Sequence, residues 1–84
     1  MKEKVISSLT KILENDSVFT NASPEQRAME VVENLNQQKK VDISPSRYGV
    51  VREEGEKTML SVFKKGHNFY DDKIIEEIDI TGLR

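Results

Sequence analysis

The feature that most constrains this chain is a change of hydrophobic period at Val41. Before it, apolar residues recur every three to four positions, and after it they recur every two. The first spacing belongs to a helix with one buried stripe, the second to a half-buried strand. Helices that come first in the chain and strands that follow describe an α+β protein.

Residues 3–14 place Val5, Ile6, Leu9, Ile12 and Leu13 on one helical face, with Lys2, Lys4, Ser8, Lys11 and Glu14 on the other. Asn15-Asp16-Ser17 ends this helix, because short polar side chains hydrogen-bond the nearby backbone in competition with it. Val18 and Phe19 are expected to enter the core from the loop. The second helix starts at Ser23 as N-cap, with Pro24 at the first helical position and Gln26 completing a capping-box pattern. Ala28, Met29, Val31, Val32 and Leu35 make its buried stripe. The polar run Asn36 to Lys40 closes it with lysines that suit a helix C-terminus.

Beyond the change of period, Val41-Asp42-Ile43 can form a short edge strand. The stretches RYGVVRE and KTMLSVFKK are rich in β-branched and aromatic residues and flank Glu54-Gly55-Glu56, which reads as a hairpin. In the second stretch Met59, Ser61 and Phe63 alternate against Leu60, Val62 and Lys64, so both faces are partly apolar, as in a central strand. The segment DKIIEEIDIT fits a strand through Ile78 and Ile80 and a helix through Ile74, Ile75 and Ile78. Its β-branched content favours the strand.

The expected fold is a single α+β domain spanning residues 1–84, with two N-terminal helices at 3–14 and 24–38. They pack on one face of a three-stranded antiparallel β-meander with strands at 47–53, 57–65 and 73–81. The expected core is Val5, Leu9, Ile12, Met29, Val32, Leu35, Val51, Leu60, Val62 and Ile78. A chain of 84 residues buries roughly 60% of its unfolded surface, and its stability is about 4–12 kcal/mol on the usual per-residue scale.

Residues 41–55, VDISPSRYGVVREEG, carry an alternative. A hydrophobic residue, then Ser44-Pro45-Ser46, then an apolar-periodic basic stretch resembles the turn and recognition helix of helix-turn-helix proteins. The resemblance implies Ser44 as N-cap, Pro45 as first helical residue and Gly55 as terminator. It implies three helices and a β-hairpin, as in winged-helix domains, with KKGHN at the tip of a basic wing. The function implied is that of a DNA-binding transcriptional regulator, with Ser46, Arg47, Gly49 and Val50 near the major groove and Lys64 and Lys65 on phosphates. Against it, Gly49 inside a helix costs roughly 1 kcal/mol relative to Ala. Val50 and Val51 prefer a strand, and Glu53, Glu54 and the acidic tail would face a polyanion.

Net charge is −2, distributed unevenly: residues 47–66 carry five basic and three acidic side chains, residues 67–84 two and five. A strong nucleic-acid binder usually shows a clustered basic face instead, so nucleic acid ranks below protein as the expected partner. With no cysteine, the chain has neither disulfide nor thiolate metal site. The N-terminal stretch is charged throughout, unlike a signal peptide, and no apolar run approaches the ~18 residues of a membrane span. A cytoplasmic location without membrane contact is expected.

Residues 64–72, KKGHNFYDD, hold the single histidine. His67 with Asp71 or Asp72 would suit a metal or a general base, since imidazole titrates near neutral pH. A metal site needs three or four ligands, however, and no second histidine exists. Gly66 and Asn68 are turn formers, so the stretch reads first as a turn with His67 exposed to solvent, and second as a contact loop that uses Lys64, Lys65, His67 and Tyr70 on a partner. The paired carboxylates Glu53-Glu54, Asp71-Asp72 and Glu76-Glu77 lie in hydrophilic stretches and read as solvated faces. EEGEK falls far short of a phosphate loop. No catalytic, cofactor or metal residues are assigned. The expectation is a small non-catalytic binding or regulatory protein, of the kind encoded by bacteria and their phages. Its candidate partner contacts are Arg47, Tyr48, Arg52, Lys64, Lys65, His67 and Tyr70, because Tyr and Arg recur as interface hot spots. Pairing of a second copy along the last strand is open, with Glu76, Glu77 and Asp79 opposing it.

Overall fold

The computed structural model of the protein describes residues 2–16, 23–66 and 68–83, and of Phe69 the backbone only. The expectations for Val18, Phe19 and His67 lie outside the described residues. Helices α1 (Lys2–Glu14) and α2 (Pro24–Asn34) are followed by strands β1 (Lys40–Ser44), β2 (Arg47–Glu54), β3 (Lys57–Lys64) and β4 (Lys73–Asp79), with a 3-10 turn at Phe69–Asp71 before β4.

Helix α1 ends as the sequence suggests: Asn15 Nδ2 donates to Lys11 O at 3.0 Å, and the Asn15 and Asp16 amides close on Ile12 O and Leu13 O. At the start of α2 the Ser23 hydroxyl accepts from the Gln26 N–H at 3.1 Å, and Pro24 leads the first turn. This helix stops at Asn34, short of the expected residue 38. Gln37 and Gln38 both donate their amides to Asn34 O at 3.1 Å, so the chain turns instead. Asn and neighbouring polar residues favour such local bonding over helix continuation. The turn leaves Leu35 fully buried and carries the chain to the sheet.

The sheet has four strands, not three, in the order β1-β2-β3-β4, all antiparallel. The segment around Val41-Asp42-Ile43 is a full strand, pairing Lys40 with Val50 and Val41 with Gly49. Residues 47–54 are strand β2 and Pro45-Ser46 is the turn before it, so the recognition helix of the alternative reading is not formed. Two local facts decide this. Val50 and Val51 are stiff β-branched residues. Gly49 lies where a Cβ would meet Leu60 Cδ1 at 2.7 Å, so the glycine lets a leucine pack onto the strand. The β2–β3 hairpin turns on Gly55-Glu56 with Gly55 at φ 63°, the left-handed geometry a two-residue hairpin asks of its first residue. Residues 73–79 settle as strand rather than helix.

Both helices lie on one face of the sheet. Val5, Leu9, Ile12, Leu13, Ala28, Val31, Val32 and Leu35 meet Val41, Ile43, Val51, Leu60, Val62, Ile78 and Ile80 in one core. Met29, expected in that core, is instead 48% exposed. It lies beside the stripe of Ala28, Val31, Val32 and Leu35 and, with Ile6, lines a groove of about 410 Å³ between the helices.

Two polar clamps tie the layers together. Asp16, just past α1, is buried and receives Ser44 Oγ, Ser46 Oγ (3.1 Å) and the Arg47 guanidinium (2.9 Å). From α2, Arg27 donates Nε to Ile43 O at 3.0 Å and NH2 to Asp42 O at 2.7 Å, while NH1 pairs with Glu30. These last bonds fall where the β1–β2 register shifts, between Asp42 and Ser44.

Candidate functional site

Side chains alternate across a strand, so the sheet face opposite the helices is set by the register. One row across it is Tyr48, Phe63 and Ile74; the next is Val50, Ser61 and Glu77; a third is Arg52, Met59 and Asp79. The β3–β4 register shifts at Val62/Phe63: Val62 faces Glu76 while Phe63 faces Ile74, which leaves Ile75 as an extra residue. Alternation back from Glu77 puts Ile75 on this same face. Such a bulge turns two successive side chains outward together, and Ile74 and Ile75 are 49% and 44% exposed.

Tyr48 organises the row. Its ring stacks on Phe63 with centroids 5.1 Å apart and planes 5° from parallel, and Lys40 Nζ lies 4.8 Å from its centroid. Its hydroxyl donates to Asp72 Oδ2 at 2.6 Å, and Asp72 Oδ1 accepts the Gly66 N–H at 2.8 Å. The hydrogen bond to Asp72 raises the tyrosine pKa above its ordinary value. That same bond, followed by the Gly66 N–H, holds the Asp72 carboxyl below its own.

The β3–β4 connection is thereby stapled to the sheet. Asn68 caps the 3-10 turn by accepting the Tyr70 N–H at 3.0 Å. A Cβ on Gly66 would stand 2.2 Å from Asp71 Cβ, so the turn closes only with glycine there. In the middle of the face, Glu77 accepts from Ser61 Oγ at 3.1 Å and from the Arg52 guanidinium, which also reaches Glu54 at 3.1 Å. Ser61 is fully buried beneath this arrangement.

The sequence-predicted contacts separate. Tyr48 and Arg52 lie on the uncovered face, one in the aromatic row and one in the ion pair with Glu77. Lys64 and Lys65 are exposed at the end of β3, and Tyr70 is 83% exposed on the turn after it. Arg47 points to the helix side, where its side chain is 12% exposed against Asp16. His67 lies outside the described residues.

The sequence does not single out Phe63, Ile74 and Ile75 as surface residues, and it puts Val50 at a surface only in the helix-turn-helix alternative. The adjacent isoleucines were the available signal, because two in succession break strict alternation. Among the described residues no three acidic or histidine side chains gather into a metal-sized group, and no helix is long and apolar enough to cross a membrane. Tyr48 is satisfied by Asp72, and Ser61 and Arg52 by Glu77, so the face offers an apolar and aromatic end beside an ion-paired middle. Comparison with protein-family models, with curated proteins and with solved structures found no match for the chain.

Proposed function

We propose that this chain is a small non-catalytic binding protein whose uncovered sheet face takes a protein partner. The observation that carries the reading is the row Tyr48–Phe63–Ile74 with Ile75 beside it, unopposed by any described element while the other sheet face carries both helices. Aromatic side chains already locked by stacking and by a hydrogen bond lose little freedom when a partner covers them, which favours binding. Lys40 and Lys65 border the aromatic row near Tyr48 and Asp72, and the Arg52–Glu77 pair bounds it toward the middle of the face; Lys64, opposite Arg47, falls on the helix side. A charged border around an apolar centre is the usual anatomy of an interface. A cytoplasmic setting and a regulatory role in a bacterium or phage belong to the same proposal, as the size and composition suggest.

The test is site-specific photo-crosslinking in the source cells. A crosslinker at Phe63 or Ile75 is expected to capture a defined protein, while one at Glu33, exposed on α2, captures none. Equal capture from all three positions, or capture from none, would remove the reading.

A further inference from the structure

We infer that the groove between the outer edge of β4 and the first turns of α1 takes an extended, lysine- or arginine-bearing protein segment as a fifth strand. The inference rests on the binding reading above and names the kind of segment such a partner supplies.

The backbone of β4 is the starting point. Ile80 donates its N–H to Thr58 O at 2.9 Å, and Ile78 stands opposite Leu60 in the same register. In an antiparallel pair the backbone groups of successive residues point to alternate sides. The N–H and C=O groups of Glu77 and Asp79 therefore point away from β3, and among the described residues no hydrogen bond reaches them. An uncovered strand edge is a template for another strand. On the opposite edge of the sheet the Arg27 guanidinium occupies the carbonyls of Asp42 and Ile43. No described side chain caps the backbone of β4 in this way.

Helix α1 supplies a wall. Lys4, Val5 and Ser8 face Glu76, Glu77, Ile78 and Asp79 across a groove of about 220 Å³. A strand edge beside a helix lets an added strand make main-chain bonds on one side and side-chain contacts on the other.

Charge selects the occupant. Three acidic residues and one lysine line the groove, with Glu76 on the helix side of the edge and Glu77 and Asp79 on the uncovered side. Arg52 and Ser61 occupy Glu77, whereas Glu76 and Asp79 have no ion-pair partner among the described residues. A second copy paired through β4 would set the same three carboxylates against themselves, so self-pairing is opposed. A basic segment meets opposite charges on both faces of the edge, since Glu76 lies on the helix side and Asp79 on the other.

The probe is a capped eight-residue peptide in which pairs of lysines alternate with pairs of valines, so that lysine meets both faces, titrated into the full chain labelled with ¹⁵N. Amide shifts are expected at Glu76–Asp79 and Lys4–Ser8, with weaker binding as salt screens the pairing. Glutamate in place of lysine is expected to abolish the response. N-methylation of every second peptide amide should abolish binding in one phase and spare it in the other, because only alternate amides face β4. The variant Glu76→Lys with Asp79→Asn, which keeps an acceptor for the Thr81 N–H, should weaken binding about tenfold while leaving the spectrum of the sheet folded. No shifts, equal response to both peptide charges, equal loss in both methylation phases, or shifts confined to Tyr48, Val50 and Phe63 would each overturn the inference. The photo-crosslinks at Phe63 report separately: if they persist when the peptide fails, only the inference falls.

Discussion

Asp16 Oδ2 stands 2.9 Å from a guanidinium nitrogen of Arg47, with the two side chains only 1% and 12% exposed. This pair, together with the Ser44 and Ser46 hydroxyls, joins the end of α1 to the β1–β2 turn. Removing one partner of a buried pair strands the other charge, at about 3–5 kcal/mol. Arg47 Nε already has no hydrogen-bond partner among the described residues. Asp16→Ala is therefore expected to remove a large part of the stability, read as a fall in the urea midpoint. Arg47→Met should cost less, because Asp16 keeps two hydroxyl donors. The reverse order would show that the arginine, not the aspartate, organises this corner.

Gly49→Ala tests the packing that decides β2. The new methyl would press on Leu60, which is fully buried and backed by the core. Overpacking of this kind costs about 1–3 kcal/mol. Paired with Leu60→Val, which frees space at the contact, the alanine should be tolerated better than it is alone. Chemical denaturation of the two single variants and the double variant measures the coupling, and simple additivity would argue against a steric clash.

Acid and base each weaken the Tyr48–Asp72 bond, from opposite ends of the pH range. Asp72 is held below its ordinary 3.8, so its share of stability is present above that value and is lost as pH falls through the lowered one. Tyr48 is raised above 10.0, so its share is present below that value and is lost as pH rises through the raised one. The Gly66 amide, which donates to Asp72, should hold one chemical shift across the interval and move at both ends. Tyr48→Phe is expected to remove the alkaline change and to shift the acid change upward toward the ordinary aspartate value. An acid limb that does not move would mean that the hydroxyl does not hold Asp72.

The bulged isoleucines separate binding from folding. Ile74→Lys with Ile75→Lys changes two half-exposed side chains on the uncovered face. Stability should fall by less than about 1 kcal/mol, as for surface substitutions. Capture by a crosslinker at Phe63 should be lost. Retained capture by a folded double variant would move the contact away from this end of the face.

Much of this architecture was legible in the residues themselves, because it depends on short-range physics. Helical spacing marked α1, Ser23-Pro24 marked the start of α2, and Gly55 between two β-branched runs marked the hairpin. Each signal concerns groups within a few positions of one another. Where the local signal was short or two-sided, the reading fell short. Val41-Asp42-Ile43 offers only three alternating residues, and its strand exists because β2 supplies partners along its length. Met29 sits at the margin of the helical stripe, and which side of that margin is covered is decided by α1, whose Ile6 shares the groove with it.

The sequence by itself determined that two amphipathic helices precede a set of strands, since period and capping are properties of neighbouring residues. Only the tertiary structure decided that the sheet has four strands and that Asp16 is buried on Arg47. It also decided that Tyr48, Phe63 and the two isoleucines share an uncovered face beside an open edge. An apolar period states that a stripe seeks cover; which element covers it, and which stripe is left over, depends on pairings between residues far apart in the chain.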